Sequence, residues 1–373
     1  MSDKTYDVAV LGLGIMGLAT AFELSRRGLS VVGIDRYKPL HDMGSSHSKN
    51  RIFRQAYFEG SFYIPLAKRS YELWKNIEQA SGRKLLYEHG VLMWFEKGAQ
   101  ILDSIIQNSQ SHEVPVHLLS QREKESYSSY FRTSLLEEAV LERQAGYIDV
   151  EESLSCFYDL SRSQGVDFLW EDPIERVEEI SGEKCILTSS GKKIQAKQVV
   201  YALGPWTLKL LPDLPLQTQR KSVLLFDRKN DIDVVWAIDQ GDRFYYGIDN
   251  GSCVKLAEHF EGELQDIESI ERQLSDDELE HYIDFIHSYV PGMVDQIKER
   301  KICVYTNTPD EHFIVDRHPK DPRSIVLSGL SGHGYKFAPV IGEIAADLVE
   351  EKPQQYPQAM QKFSMARFST VSL

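Results

Sequence analysis

Gly12, Gly14 and Gly17 are spaced as G-x-G-x-x-G, and Asp35 follows 18 residues after the last of them. Each has a physical task in holding a dinucleotide. Gly12 makes the tight turn, Gly14 lets backbone approach a pyrophosphate, and Gly17 lets the following helix pack closely on its strand. The helix N-terminus faces the phosphates, and Asp35, with Arg36 beside it, stands where ribose hydroxyls need an acceptor. The fingerprint serves FAD and NAD equally. A second glycine-rich stretch, Gly329-Leu330-Ser331-Gly332-His333-Gly334, leans toward FAD, because it could offer backbone N–H groups to another part of a long cofactor. It also reads as a plain flexible turn.

Other side chains carry charge or nucleophilic character. Arg51 and Arg54 are three apart and share a face if that segment is helical. Alternation puts Cys253, Lys255, Ala257 and His259 on one face of a strand, with Val254 and Leu256 on the other. It likewise joins Cys303 with Tyr305, away from Ile302 and Val304. Each has a bland alternative: a solvated edge for Lys255, a satisfied histidine for His259, a buried apolar thiol for Cys303, core aromatics for Tyr246 and Tyr305.

These residues need elements to position them. Tyr6–Leu11 reads as a buried strand, 18–27 as a helix and Ser30–Ile34 as a second buried strand, together a parallel βαβ unit. Helices follow over Pro65–Ala80 and Glu151–Ser163, then a strand over 166–170 and a meander over 174–203. Residues 218–308 are rich in β-formers, broken by an acidic helical interlude over about 264–290. A strand at Ser324–Ser328 and a helix at 339–350 close the chain. The order predicts an α/β (α+β) two-domain protein. A Rossmann-like nucleotide domain assembled from discontinuous segments (1–83, 145–215 and 312–373) carries an inserted, mainly antiparallel substrate domain (84–144 and 216–311).

Composition narrows the partners. With 42 Lys+Arg against 56 Asp+Glu the net charge is −14, which repels polyanions and disfavours nucleic acid. No apolar run reaches the ~18 residues of a membrane span. The N-terminus runs directly into a strand, leaving no room for a signal peptide, and Val371-Ser372-Leu373 is not a peroxisomal signal. The four cysteines, at 156, 185, 253 and 303, have neither metal-like nor C-x-x-C spacing. This fits reduced thiols, no metal and a cytoplasmic setting.

Several blocks resemble the monomeric sarcosine oxidase and N-methyltryptophan oxidase family of flavoprotein amine oxidases, within the D-amino acid oxidase superfamily. They are Gly12–Gly17, Gly44–His47 through Arg51–Tyr57, Ala202-Leu203-Gly204-Pro205-Trp206, Tyr245-Tyr246-Gly247, Lys255 with His259, Cys303-Val304-Tyr305-Thr306, Asp310–Asp316 and Gly332–Phe337. The resemblance runs from residue 6 to about 350. It implies FAD joined through a thioether to Cys303, a carboxylate clamp of Arg54 and Lys336, and Lys255 beside the flavin where oxygen is reduced. His47, Arg51, Tyr246, His259 and Tyr305 fall at pocket or flavin-side positions, and Ser45, Gly204 and Trp206 at cofactor positions. Ser46 and Lys49 depart from the sarcosine oxidase pattern, where His and Asp stand. Val234-Val235-Trp236-Ala237, expected to border the substrate, matches neither reference enzyme.

The resemblance implies oxidation of the CH–NH group of an N-methyl or other secondary amino acid, with oxygen as acceptor and peroxide as product. The alternatives are a flavin dehydrogenase using another acceptor, or a non-catalytic flavin- or NAD-binding redox protein. The expected partners are a small amino acid and oxygen, in a monomer or small homo-oligomer.

Overall fold

The computed structural model describes residues 4–99 and 101–368; the terminal readings on Met1–Asp3 and Val371–Leu373 fall outside them. Five parallel strands form the centre of the first sheet, in the order Asp321–Ser328, Lys193–Tyr201, Thr5–Leu11, Val31–Ile34, Asp167–Leu169. Val8 to Leu11 and Val31 to Ile34 are buried without alternation, as strands covered on both faces must be. Ile174–Ile180 and Glu183–Thr188 add antiparallel to the first half of Lys193–Tyr201, and Ile314–His318 pairs antiparallel with Asp321–Ser328. The helices Ile15–Arg26, Val150–Ser163 and Ala338–Val349 pack together as a layer on this sheet.

The second sheet has eight strands: Val294–Asn307, Gln217–Arg228, Val254–Glu258, Phe244–Asp249, Val235–Asp239, Val91–Phe95, Glu138–Glu142 and Val116–Leu118. All neighbours are antiparallel except Val91–Phe95 against Val235–Asp239. One face packs on the helix Asp276–Tyr289 through Leu224, Trp236, Tyr245, Leu256 and Phe285. The opposite face carries Val223, Ala257 and Cys303, with Tyr246 against them. A three-stranded sheet of Asn50–Phe53, Gly146–Asp149 and Leu86–Tyr87 completes the strands.

Two readings are corrected. Arg51 does not share a helix face with Arg54: Asn50–Phe53 is a strand, held by cross-strand pairing to Gly146–Asp149. A tertiary partner overrides the local spacing. The acidic helix is shorter than expected, running only over Asp276–Tyr289, where Ser275 and Glu278 form a capping box. Upstream, Arg220 binds the carbonyls of Glu271 and Gln273, and Gln265 N–H donates to Thr218 O at 3.0 Å. Those backbone groups are spent on tertiary contacts instead of helical ones.

Candidate functional site

The cradle at the start of the chain is built mainly of backbone. Gly12 has φ +90°, and a Cβ there would lie 2.5 Å from Ala202 O; one on Gly17 would lie 1.8 Å from Gly12 O. Neither position admits a side chain. Asp35 accepts from Leu13 N–H at 2.6 Å and Tyr37 N–H at 2.9 Å, which locks the turn to the next strand. These residues border a cavity of about 350 Å³ also lined by Arg36, Ser45, Gly204, Trp206, Gly329, Gly332 and Gly334. Gly12, Gly14 and the C-terminal glycines thus meet across more than 300 residues of chain. Gly17 lies behind the cavity wall and sets the spacing. Ser46, one of the departures, accepts from Ile15 N–H at 3.1 Å, whereas Lys49 reaches only a surface pair with Glu151.

Cys303 and Arg51 line the same cavity. Arg51 Nη2 lies 3.5 Å from Cys303 Sγ and also donates to Ser45 O at 2.9 Å. Burial by itself would raise the thiol's pKa, but Arg51, helped by His47 and Lys255, pulls it down to about 6. Lys255 is fully buried and donates to Asn50 O at 2.9 Å, with its Nζ 5.7 Å from the Tyr246 ring centre. Burial, reinforced by the Arg51 charge, holds its ammonium well below the usual lysine range.

Arg51, Tyr305, Gly332 and Tyr335 also line a smaller cavity, which holds Arg54, Lys336, Tyr246 and His259. Arg54 pairs with Glu59 at 2.5 Å and lies over the Tyr57 and Phe58 rings. Lys336 Nζ donates to His333 O at 3.0 Å and to Tyr57 Oη at 3.2 Å. Burial and Arg54 together push Lys336 down to about 7, against the opposing pull of Glu59 and Glu142. Burial would raise Glu59, yet Arg54, His333 and Lys336 bring it to about 2. His259 meets Tyr305 Oη at 3.4 Å, and burial drops its pKa to about 3. Val234–Ala237 does not line this cavity. Trp236 is fully buried against Phe131 and Phe285 on the far face of the sheet, because its strand is internal and covered on both sides.

Residues 7–348 match the family described as FAD dependent oxidoreductase, DAO. The chain belongs to this family. It is 33% identical to a monomeric sarcosine oxidase from Streptomyces avermitilis, over 92% of this chain and 93% of that one. It is 32% identical to an N-methyl-L-tryptophan oxidase from Yersinia pestis, over 97% and 99%. In fold it is similar to an L-proline dehydrogenase from P. horikoshii, with TM-score 0.87 and 19% identity over 98% of both chains.

The family's cofactor fits the residues present. The glycine cradle leaves room where any Cβ would intrude, and Thr306, which lines the cavity, has its hydroxyl buried without a partner. Unpaired buried polar atoms of this kind call for a ligand with hydrogen-bonding edges. Among the described residues no helix is long and apolar enough to cross a membrane.

Four buried groups at this FAD oxidoreductase's site escaped the sequence reading. Glu59 holds Arg54, Tyr57 and His333 hold Lys336, and Glu142 accepts from Gln55 and Ala56 N–H at 2.8 and 3.0 Å. Burial raises Glu142 to about 7 despite those bonds. Its one sequence signal is a carboxylate directly after the apolar run Ala139-Val140-Leu141 of the strand Glu138–Glu142. Glu59 has no spacing signal at all.

Proposed function

We propose that this family member is an oxidase of secondary amino acids, N-methyl amino acids above all, yielding an imine that water hydrolyses, together with hydrogen peroxide. One observation carries the reading. The glycine-lined cavity and the cavity holding Arg54 and Lys336 share the wall of Arg51, Tyr305, Gly332 and Tyr335. A carboxylate on the two cations therefore sits one side chain away from a cofactor in the cradle. FAD, when bound, supplies the two-electron acceptor for the amine and the means of passing those electrons to oxygen.

The protein's part is to bind, orient and supply charge. Arg54 and Lys336 seat the substrate carboxylate through charge-assisted hydrogen bonds in a water-poor space. Lys255 Nζ is buried, and burial together with the Arg51 charge opposes its protonation. Negative charge forming beside it offsets that penalty, so the amine is placed to donate a hydrogen bond and to take up a proton as oxygen is reduced. Tyr246, Tyr305 and His259, the last neutral at physiological pH, shape the chamber between. Cys303 is the attachment point for the flavin, its thiolate favoured by Arg51.

The similarity to sarcosine and N-methyltryptophan oxidases supports this reading over a dehydrogenase with another acceptor. The two eight-stranded sheets support the division into a cofactor part (1–83, 145–215 and 312–373) and a substrate part (84–144 and 216–311), with Leu86–Tyr87 pairing across it onto Gly146–Asp149. Four buried, unpaired cysteines support a cytoplasmic setting. The test is a peroxide assay across N-methyl amino acids, proline analogues and glycine, with anaerobic reduction followed by air. Peroxide from secondary amines is the expected result. A colourless protein, or a yellow one reduced by amines but inert to oxygen, overturns it.

A further inference from the structure

Beyond the clamp lies a second chamber of about 280 Å³. Phe58, Glu59, His259, Tyr305 and His333 line both it and the clamp cavity, so the two spaces adjoin. The chamber's charge is one-sided. Glu59, Asp310 and Glu311 line it, and neither lysine nor arginine does. Two of the three carboxylates are neutralised from outside. Arg54 holds Glu59 at 2.5 Å, and Arg367 holds Asp310 at 2.8 and 3.2 Å.

Glu311 stands exposed at the rim and forms no ion pair among the described residues. Asn307 Oδ1 and Glu59 Oε2, on two other lining residues, are buried without a donor. The Asn307 amide is held by its Nδ2 donating to Gln219 Oε1 at 2.9 Å, which leaves its oxygen free to accept. Lys221, the nearby cation, does not line the chamber; its ammonium donates to the Glu261 carbonyl. The lining therefore offers two unmet acceptors and, in Glu311, a carboxylate outside any ion pair among the described residues, with only the more distant charge of Lys221 acting on it. An empty acceptor in a buried wall is costly unless something donates to it.

We propose that this chamber seats the substrate's side chain and selects amino acids whose side chain ends in a cationic donor, an ammonium or guanidinium. The proposal rests on the preceding reading, with the carboxylate on Arg54 and Lys336. Glu59 and His333 are direct neighbours of those two cations and also line the chamber, so a lysine-length side chain anchored at the clamp extends into it.

The test compares pairs of equal length and different charge on the holoenzyme. Calorimetry measures binding of ε-aminocaproate against caproate, neither of which is a secondary amine. Peroxide kinetics compare α-N-methyl-lysine with α-N-methyl-norleucine. The cationic member of each pair is expected to win by about two- to fivefold in Kd and in kcat/KM, the effect of one solvent-exposed ion pair. In Glu311→Gln both ratios should fall toward one. Equal or reversed preference, or a preference untouched by Glu311→Gln, overturns the proposal while caproate binding and turnover of the norleucine compound leave the amine oxidase reading standing. Failure of both carboxylates to bind, with no peroxide from any secondary amine, overturns that reading and this proposal with it.

Discussion

Arg51 and Arg54 are three residues apart, both buried, and lead opposite electrostatic lives. Among the described residues Arg51 has no carboxylate partner. It donates to the Ser45 and Asn50 carbonyls and lies 3.5 Å from the Cys303 thiol, so its charge is spent on lowering that thiol to about 6 and on depressing Lys255. Arg54 is paired with Glu59 at 2.5 Å, and beside it Lys336 stays near 7. Both cations depress a neighbouring lysine, but only the one without a carboxylate partner also draws down a thiol. The one paired with Glu59 leaves a nearly neutral site until a ligand supplies a competing anion. The Arg51 side is thus suited to activating a thiol and an amine, and the Arg54 side to receiving a carboxylate.

The largest effect belongs to the Arg51 side. Cys303→Ser should release all flavin on acid denaturation, whereas wild type should keep the yellow colour and the mass of chain plus flavin. Flavin freed from wild type would remove the thiol activation from the contrast. Next, Lys255→Met should slow reaction of the reduced enzyme with oxygen by ~10²–10³ while leaving carboxylate binding within a factor of a few. Stopped-flow reoxidation reads this, and a loss confined to carboxylate binding would merge the two sides.

On the Arg54 side, Arg54→Ala or Lys336→Ala should weaken a simple carboxylate inhibitor by roughly ten- to a hundredfold, the ~1.5–3 kcal/mol of a charged hydrogen bond. Unchanged inhibition by both variants would dissolve the clamp. The smallest effect is in pH. Lys336, held to about 7, is charged below that value and neutral above it, so carboxylate affinity should decline as pH rises through 7. His259 and His333, near 3 and 4, do not titrate there. Glu142, also near 7, gains negative charge in the same window and weakens binding in the same direction. A slope that persists in Lys336→Met would assign the effect to Glu142.

The N-terminal cradle was legible in sequence because its requirements are local. Gly12, Gly14 and Gly17 are dictated by backbone clearance within one strand–turn–helix, and Asp35 by its place at the end of the next strand. The alternation of Lys255 with Ala257, and of Cys303 with Tyr305, was likewise read from a period of two that any strand imposes. The chemistry of the site was not local. Arg51 and Arg54 became opposites because their segment pairs with Gly146–Asp149, a partner roughly a hundred residues away that no i,i+3 spacing announces. Glu59, Glu142 and His333 matter only where burial meets a neighbouring charge, and burial is a property of the packed chain. The sequence alone determined where the backbone must come close to a nucleotide. Tertiary structure decided which buried charges meet and which stay unpaired, because electrostatic energies depend on distance and on exclusion of water, and neither is set by adjacency along the chain.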